Sequence, residues 1–259
     1  MNQPLAYVHP GAKIAKNVVI EPFTTIHNNV IIGEGTWIGS NVTIMEGARI
    51  GKNCNIFPGA VISAVPQDLK FEETTAEIGD NTTIREYVTV NRGTIDRGKT
   101  VIGDNCLIMA YCHIAHDCIV GNNCIFSNAS TLAGHITIGD YVILAGMTAV
   151  HQFCMIGSHA FVTGGSLVRK DVPPYVKGAR EPLSYVGINS IGLRRRGYDT
   201  EKIREIQNIY RILYQNNYNT TQASEIIEAE MEATPERDEI LQFIKNSKRG
   251  IMKGYFSNS

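Results

Sequence analysis

An aliphatic residue recurs every six positions along most of this chain. Stepping by six from Val8 gives Ile14, Ile20, Ile26, Ile32, Ile38, Ile44, Ile50, Ile56 and Ile62 without a miss. The phase is lost across residues 63–77. It returns at Ile78, Ile84 and Val90, fails at Asp96, and then runs from Ile102 to Val168. A second column, four residues behind the first, holds mostly small residues such as Thr24, Ala48, Ala60 and Ser130. It also contains all six cysteines. Gly, Asn and Asp crowd the steps between, as in IGEG, IGKN and VGNN, which is turn chemistry. One aliphatic and one small inward residue per hexad describe a parallel β-helix of short strands and tight corners. With three hexads per coil, residues 18 apart stack at the strand spacing of ~4.8 Å, and about 26 hexads make roughly nine coils, ~40 Å of prism. Each coil buries its aliphatic residues against the coils above and below, so the repeat must be long to be stable.

Two stretches leave the pattern inside the prism. SAVPQDLKFEETTAE (63–77) and NRGTIDRGKT (91–100) read as loops, and loops on a rigid scaffold often carry function. After Asp171 the period ends, and VPPYVKGAREPLSYVGI reads as a Pro-rich connector. Asp199 or Thr200 can cap a helix with Ile203, Ile206, Tyr210 and Leu213 on one face. Thr221 can cap a second helix, and Pro235 suits the first turn of a third. The expected division is a β-helix over 1–186 and a helical domain over 187–259. With 259 residues and 43 % hydrophobic content the chain can bury a sizeable core in one or two domains. A net charge of −1 gives no basic field for nucleic acid. The chain shows no signal-peptide pattern at its start and no apolar run of about 18 residues, so a cytoplasmic protein without a transmembrane segment is expected.

Residues 112–118, Cys-His-Ile-Ala-His-Asp-Cys, place two histidines and an aspartate between two inward cysteines. Side chains alternate across a strand, so His113 should point out, with His116 and Asp117 at a corner. The thiols then fill interior space, and a mixed Cys/His metal site would need cysteines facing the wrong way. On division by 18, His113, His116, His135 and His151 leave 5, 8, 9 and 7, so four of the seven histidines gather on one edge of three successive coils.

QDLK (67–70), HIAHD (113–117), TLAGH (131–135), GMTAVHQF (146–153), DVPPYV (171–176) and GINSIGLRRRG (187–197) together resemble the UDP-N-acetylglucosamine O-acyltransferase family along the whole chain. The resemblance implies a left-handed winding and a homotrimer with sites between prisms. It implies transfer of an (R)-3-hydroxyacyl group from acyl carrier protein to the sugar 3-hydroxyl, at the start of lipid A synthesis, with no cofactor or metal. By the same resemblance His116 is the general base, Asp117 orients it, and the Gly134 N–H meets the oxyanion. Gln67, Asp68 and Lys70 match residues near the sugar and phosphates. His113, His135, His151 and Gln152 match nucleotide-sugar and acyl-pantetheine contacts, and Asn128 lines the acyl groove. Asn189, Arg195 and Arg196 match nucleotide contacts, and Gly164 matches the position that measures acyl length. The sequence departs from the family pattern at Asn91, where histidine is common, at Ile191, where glutamate is usual, and in a shorter FEETTAE flank.

Two other readings follow from the residues. A hexapeptide-fold zinc carbonic anhydrase would use His113, His116 and His135 as ligands. A non-enzymatic β-helix scaffold would show flat threonine arrays without a histidine strip.

Overall fold

The computed structural model describes residues 5–67, 73–215 and 218–254. From Tyr7–Val8 to Leu167–Val168 the chain forms short parallel strands, most of them two residues long. They stack into three sheets, one on each face of a left-handed β-helix. The regular step is 18 residues: Tyr7 pairs with Thr25, Lys13 with Ile31 and Val19 with Trp37. Between Val61 and Thr89 the step is 28, and between Thr89 and His113 it is 24, so the two loops are insertions that leave the winding intact.

The aliphatic column is inside. Ile20, Ile26, Ile38, Ile44, Ile84, Ile108 and Ile114 are fully buried. Burying each such side chain contributes roughly 1.5–3 kcal/mol. All six cysteines are buried and unpaired, filling the small positions as expected. Each corner repeats a left-handed residue. One corner carries Asn17, Asn53, Asn81, Asn105, Asn123, Tyr141 and His159. The next carries Phe23, Asn41, Tyr87, Tyr111, Ala129 and Met147. The third carries Asn29, Asp117, His135 and Phe153. Asparagine and aspartate tolerate this conformation best, which explains the Asn-rich turns of the sequence.

Several boundaries differ from the sequence reading. Strands Val61–Ala64, Thr75–Ile78, Thr89–Asn91 and Lys99–Ile102 persist into both interruptions. The excursions are therefore 65–74 and 92–98, because the parallel ladder continues to hold the flanking backbone. The connector is not irregular. Val176–Ala179 pairs with Phe161–Val162 and, antiparallel, with Ser184–Ile188, and Lys253–Gly254 adds a last strand. The division expected at 186/187 falls inside Ser184–Ile188, a strand that extends a prism sheet.

Among the described residues four helices follow: α1 (Ser190–Arg195), α2 (Thr200–Gln215), α3 (Thr220–Glu230) and α4 (Pro235–Asn246). Asp199 caps α2, accepting from Lys202 N at 2.8 Å. The cap of α3 is Asn219 in a capping box with Gln222, not Thr221. Asn219 takes that role because its side chain reaches the third backbone N–H while its own backbone stays extended. Pro235 opens α4 behind the Thr234 cap. The short helix α1 went unread, since its six residues present one buried side chain, Leu193. The helices are clamped to the prism by Tyr210, whose hydroxyl donates to Pro174 O at 2.6 Å, and by a Tyr175–Glu239 hydrogen bond.

Candidate active site

The strand His113–Ile114 ends at the corner that holds Asp117 in the left-handed region, at φ 58°. This turn lays the His116 ring across the next coil. A Cβ at Gly134 would lie 2.6 Å from His116 Cε1 and 2.7 Å from Nε2. Only glycine fits beneath the ring.

The Asp117 side chain is fully buried. Its Oδ2 lies 2.8 Å from His116 Nδ1 and accepts from the Thr94 hydroxyl at 2.7 Å. Its Oδ1 accepts from Thr94 N at 3.0 Å and Arg97 N at 3.3 Å. The Arg97 guanidinium donates to Asp117 O at 2.9 Å and His135 O at 3.3 Å. Burial alone would raise the Asp117 carboxyl. The hydrogen bonds from Thr94 and His116, with His135 nearby, outweigh it and hold the group below its usual range. An ionised carboxylate only accepts, so the His116 Nδ1 carries the proton and Nε2 keeps its lone pair.

His135 occupies the same corner one coil on, edge-on to His116 at 5.0 Å and stacked on Phe153 at 4.7 Å. Asp96 Oδ2 lies 3.1 Å from His135 Nδ1, an ion-pair distance, but Nδ1 makes no hydrogen bond. His116, Asp117 and His135 place ligand-type atoms within 4.8 Å of one another. The Asp117 oxygens are already engaged by three donors besides His116. His113, the third ligand of a carbonic-anhydrase reading, stands apart from this cluster on its strand. There it shares a 2.7 Å hydrogen bond with Thr89, and burial lowers its pKa.

His151 and Gln152 lie two coils beyond Ala115 and His116 on the same edge, with His151 Nδ1 donating to Gln152 O at 3.1 Å. The remaining expected residues lie elsewhere. Asn128 and Gly164 are exposed at a second corner, in a column with Gly146; Asn128 O accepts from Met147 N at 2.9 Å. Asn189 caps α1 beside the corner of Tyr141 and His159 and donates to His159 O at 2.9 Å. Arg196 lies over the Tyr141 ring and donates to Tyr141 O at 3.0 Å, while Arg195 is exposed. Gln67 is exposed at the edge of the first loop, and Asp68 and Lys70 lie outside the described residues. One chain thus unites His116, Asp117, Gly134 and His135, and distributes the others over three corners.

A family described as UDP-N-acetylglucosamine O-acyltransferase, domain 2, matches residues 171–252, and the bacterial transferase hexapeptide family matches 29–64 and 99–134. A curated acyl-[acyl-carrier-protein]–UDP-N-acetylglucosamine O-acyltransferase of Aliivibrio fischeri is 47 % identical, covering 96 % of this chain and 98 % of its own. A relative of the same name from Thiobacillus denitrificans is 44 % identical over the same shares. The chain belongs to the UDP-N-acetylglucosamine acyltransferase family. The crystal structure of a UDP-N-acetylglucosamine acyltransferase from Bacteroides fragilis superposes with a TM-score of 0.96 at 51 % identity, covering 98 % of this chain and all of that one. An Arabidopsis UDP-N-acetylglucosamine acyltransferase gives 0.83 at 36 % identity, covering 98 % and 100 %.

Within this acyltransferase frame, the sequence reading missed Thr94, Asp96 and Arg97. The one signal pointing to them is the loss of the aliphatic phase at Asp96. Asn91 is buried, and its side chain donates to Ala64 O and Val65 O, tying down the base of the first loop.

Proposed function

We propose that this chain transfers an (R)-3-hydroxyacyl group from acyl carrier protein to the 3-hydroxyl of UDP-N-acetylglucosamine, the step that the family resemblance places at the start of lipid A synthesis. The observation that carries the mechanism is the His116–Asp117 pair, with Nδ1 committed to the carboxylate and Nε2 left as the base. Nε2 takes the proton of the sugar hydroxyl as its oxygen attacks the thioester carbonyl. Buried Asp117 stabilises the imidazolium. The Gly134 N–H donates to no group among the described residues and is available to the oxyanion. The tetrahedral species collapses by expelling the pantetheine thiolate, which recovers the proton from His116. The carrier protein brings its own pantetheine, so the protein needs no cofactor or metal of its own.

The active form is a homotrimer in the cytoplasm. Groups on three separate corners converge when corners of neighbouring copies meet, and cyclic symmetry closes such an assembly. Among the described residues no helix is long and apolar enough to cross a membrane. His116→Ala should lower kcat by about 10²–10⁴, the usual worth of a general base. Light scattering should give three chains for both wild type and variant. Wild-type kcat in the variant would refute the base, and a monomer mass would refute the shared site.

A further inference from the structure

The loop at 92–98 reaches back onto the catalytic corner with three successive contacts. Thr94 meets both oxygens of Asp117, Asp96 faces His135, and Arg97 spans Asp117 and His135. The Thr94 hydroxyl is singular among these. It donates at 2.7 Å to Oδ2, the same oxygen that holds His116 Nδ1. Oδ1 has its own two donors, both backbone N–H groups. The Asp117 backbone is fixed separately by Thr100 Oγ1 at 2.9 Å. Among the described residues the hydroxyl is the one side-chain hydrogen-bond donor to Oδ2 besides His116 Nδ1, with His135 Nε2 farther off at 3.7 Å.

We propose that Thr94 is a positioning residue for the acyl-transfer step, setting both the orientation and the basicity of the Asp117 oxygen that His116 uses. The inference rests on His116 being the base. A buried carboxylate oxygen that shares its density between two donors attracts the imidazolium less strongly than one bound by histidine alone. The hydroxyl thus fixes the direction of the His116 ring and keeps its proton from being held too tightly. The groups facing His116 are Asp117, His135, and the backbone of Gly134 beneath the ring. Asp96 and Arg97 stand behind them in the loop.

Thr94→Val keeps the shape and removes the donor; Thr94→Ser keeps the donor. The trimer, assayed with a 3-hydroxyacyl carrier protein and UDP-N-acetylglucosamine, should lose about tenfold in kcat for the valine variant, in the range of a lost hydrogen bond to a charged group. Both KM values should stay within about twofold, and serine should restore most of the rate. The acidic limb of kcat/KM should move to higher pH in the valine variant, because an undivided Oδ2 favours the protonated imidazole. In an Asp117→Asn background, the valine change should cost less than about twofold, since the group it acts through is gone. If valine proves insoluble, Thr94→Ala takes its place in the same cycle. Wild-type kcat with an unmoved limb overturns the proposal. So does a full tenfold cost in the Asp117→Asn background. Failure of the base assignment is distinguishable, because His116→Ala would then retain activity whatever the Thr94 variants do.

Discussion

His116 owes its place to neighbours with no reactive group of their own. Gly134 leaves the space that the ring fills, with a virtual Cβ 2.7 Å from Nε2. Gly134→Ala should therefore push the ring off its Asp117 bond rather than disturb the prism, whose ladder at that coil is carried by Thr131–Leu132. We expect kcat to fall by at least about 10², comparable to loss of the base, with a melting temperature within a few degrees of wild type. Steady-state kinetics beside a thermal melt checks this, and an active alanine variant would remove Gly134 from the site. The corner imposes a second constraint. Left-handed backbone costs about 1–3 kcal/mol for bulky residues, yet His135 and Phe153 adopt it at φ 61° and 66°. Their stacked rings at 4.7 Å return part of that cost and hold His135 edge-on to His116.

Elements explain which parts of this architecture could be read from the chain. The Ile and Cys columns were legible because each residue obeys one local rule, inward at every sixth position, and no distant contact alters it. The histidine edge was legible for the same reason once the step of 18 was known. The capping of α3 by Asn219 and the strand Ser184–Ile188 were not, because one depends on a reciprocal side-chain contact and the other on pairing with residues 5 to 12 positions away. Thr94 and Arg97 were hidden in a loop whose return path no periodicity encodes. The corner column of Asn128, Gly146 and Gly164 shows what the repeat does specify. These residues share a face of successive turns, and a Cβ at Gly164 would lie 3.0 Å from Gly146 O. Gly164→Met should fill the space beyond Asn128 and shift preference to a shorter acyl chain by several carbons. A panel of 3-hydroxyacyl carrier proteins of graded length reads the result, and an unchanged profile would exclude Gly164 as the length-setting position.

For the whole molecule, the junction between prism and helices is the place where acid should act first. The ring of His159 lies in a stack with Tyr141 at 4.8 Å and Tyr175 at 5.4 Å, with Tyr198 edge-on at 5.4 Å. Arg196 donates to its Nδ1 at 3.3 Å, and its backbone oxygen accepts from Asn189. Tyr175 binds Glu239 of α4, and Asn189 caps α1, so this imidazole sits where both parts of the fold meet. Burial, then the Arg196 charge, push its pKa down to about 4, against small opposing pulls from Asp140 and Glu236. An unfolded histidine titrates near 6.5. Between those values the unfolded chain binds a proton that the native state refuses, so stability falls as pH drops from about 6.5 toward 4. His113, also depressed by burial, contributes with the same sign. Asp117 acts in a separate window, since its depressed carboxyl stabilises the fold above about 3.9 and is lost only below it. His159→Phe keeps an aromatic ring in the stack and cannot take the proton. Melting temperatures measured from pH 7.5 to 4.5 should decline for the wild type and run flatter for the phenylalanine variant, with the difference widening down to pH 4.5. Hydrogen exchange in α1 should quicken over the same interval in the wild type alone. Parallel curves for the two proteins would place the acid sensitivity outside this junction.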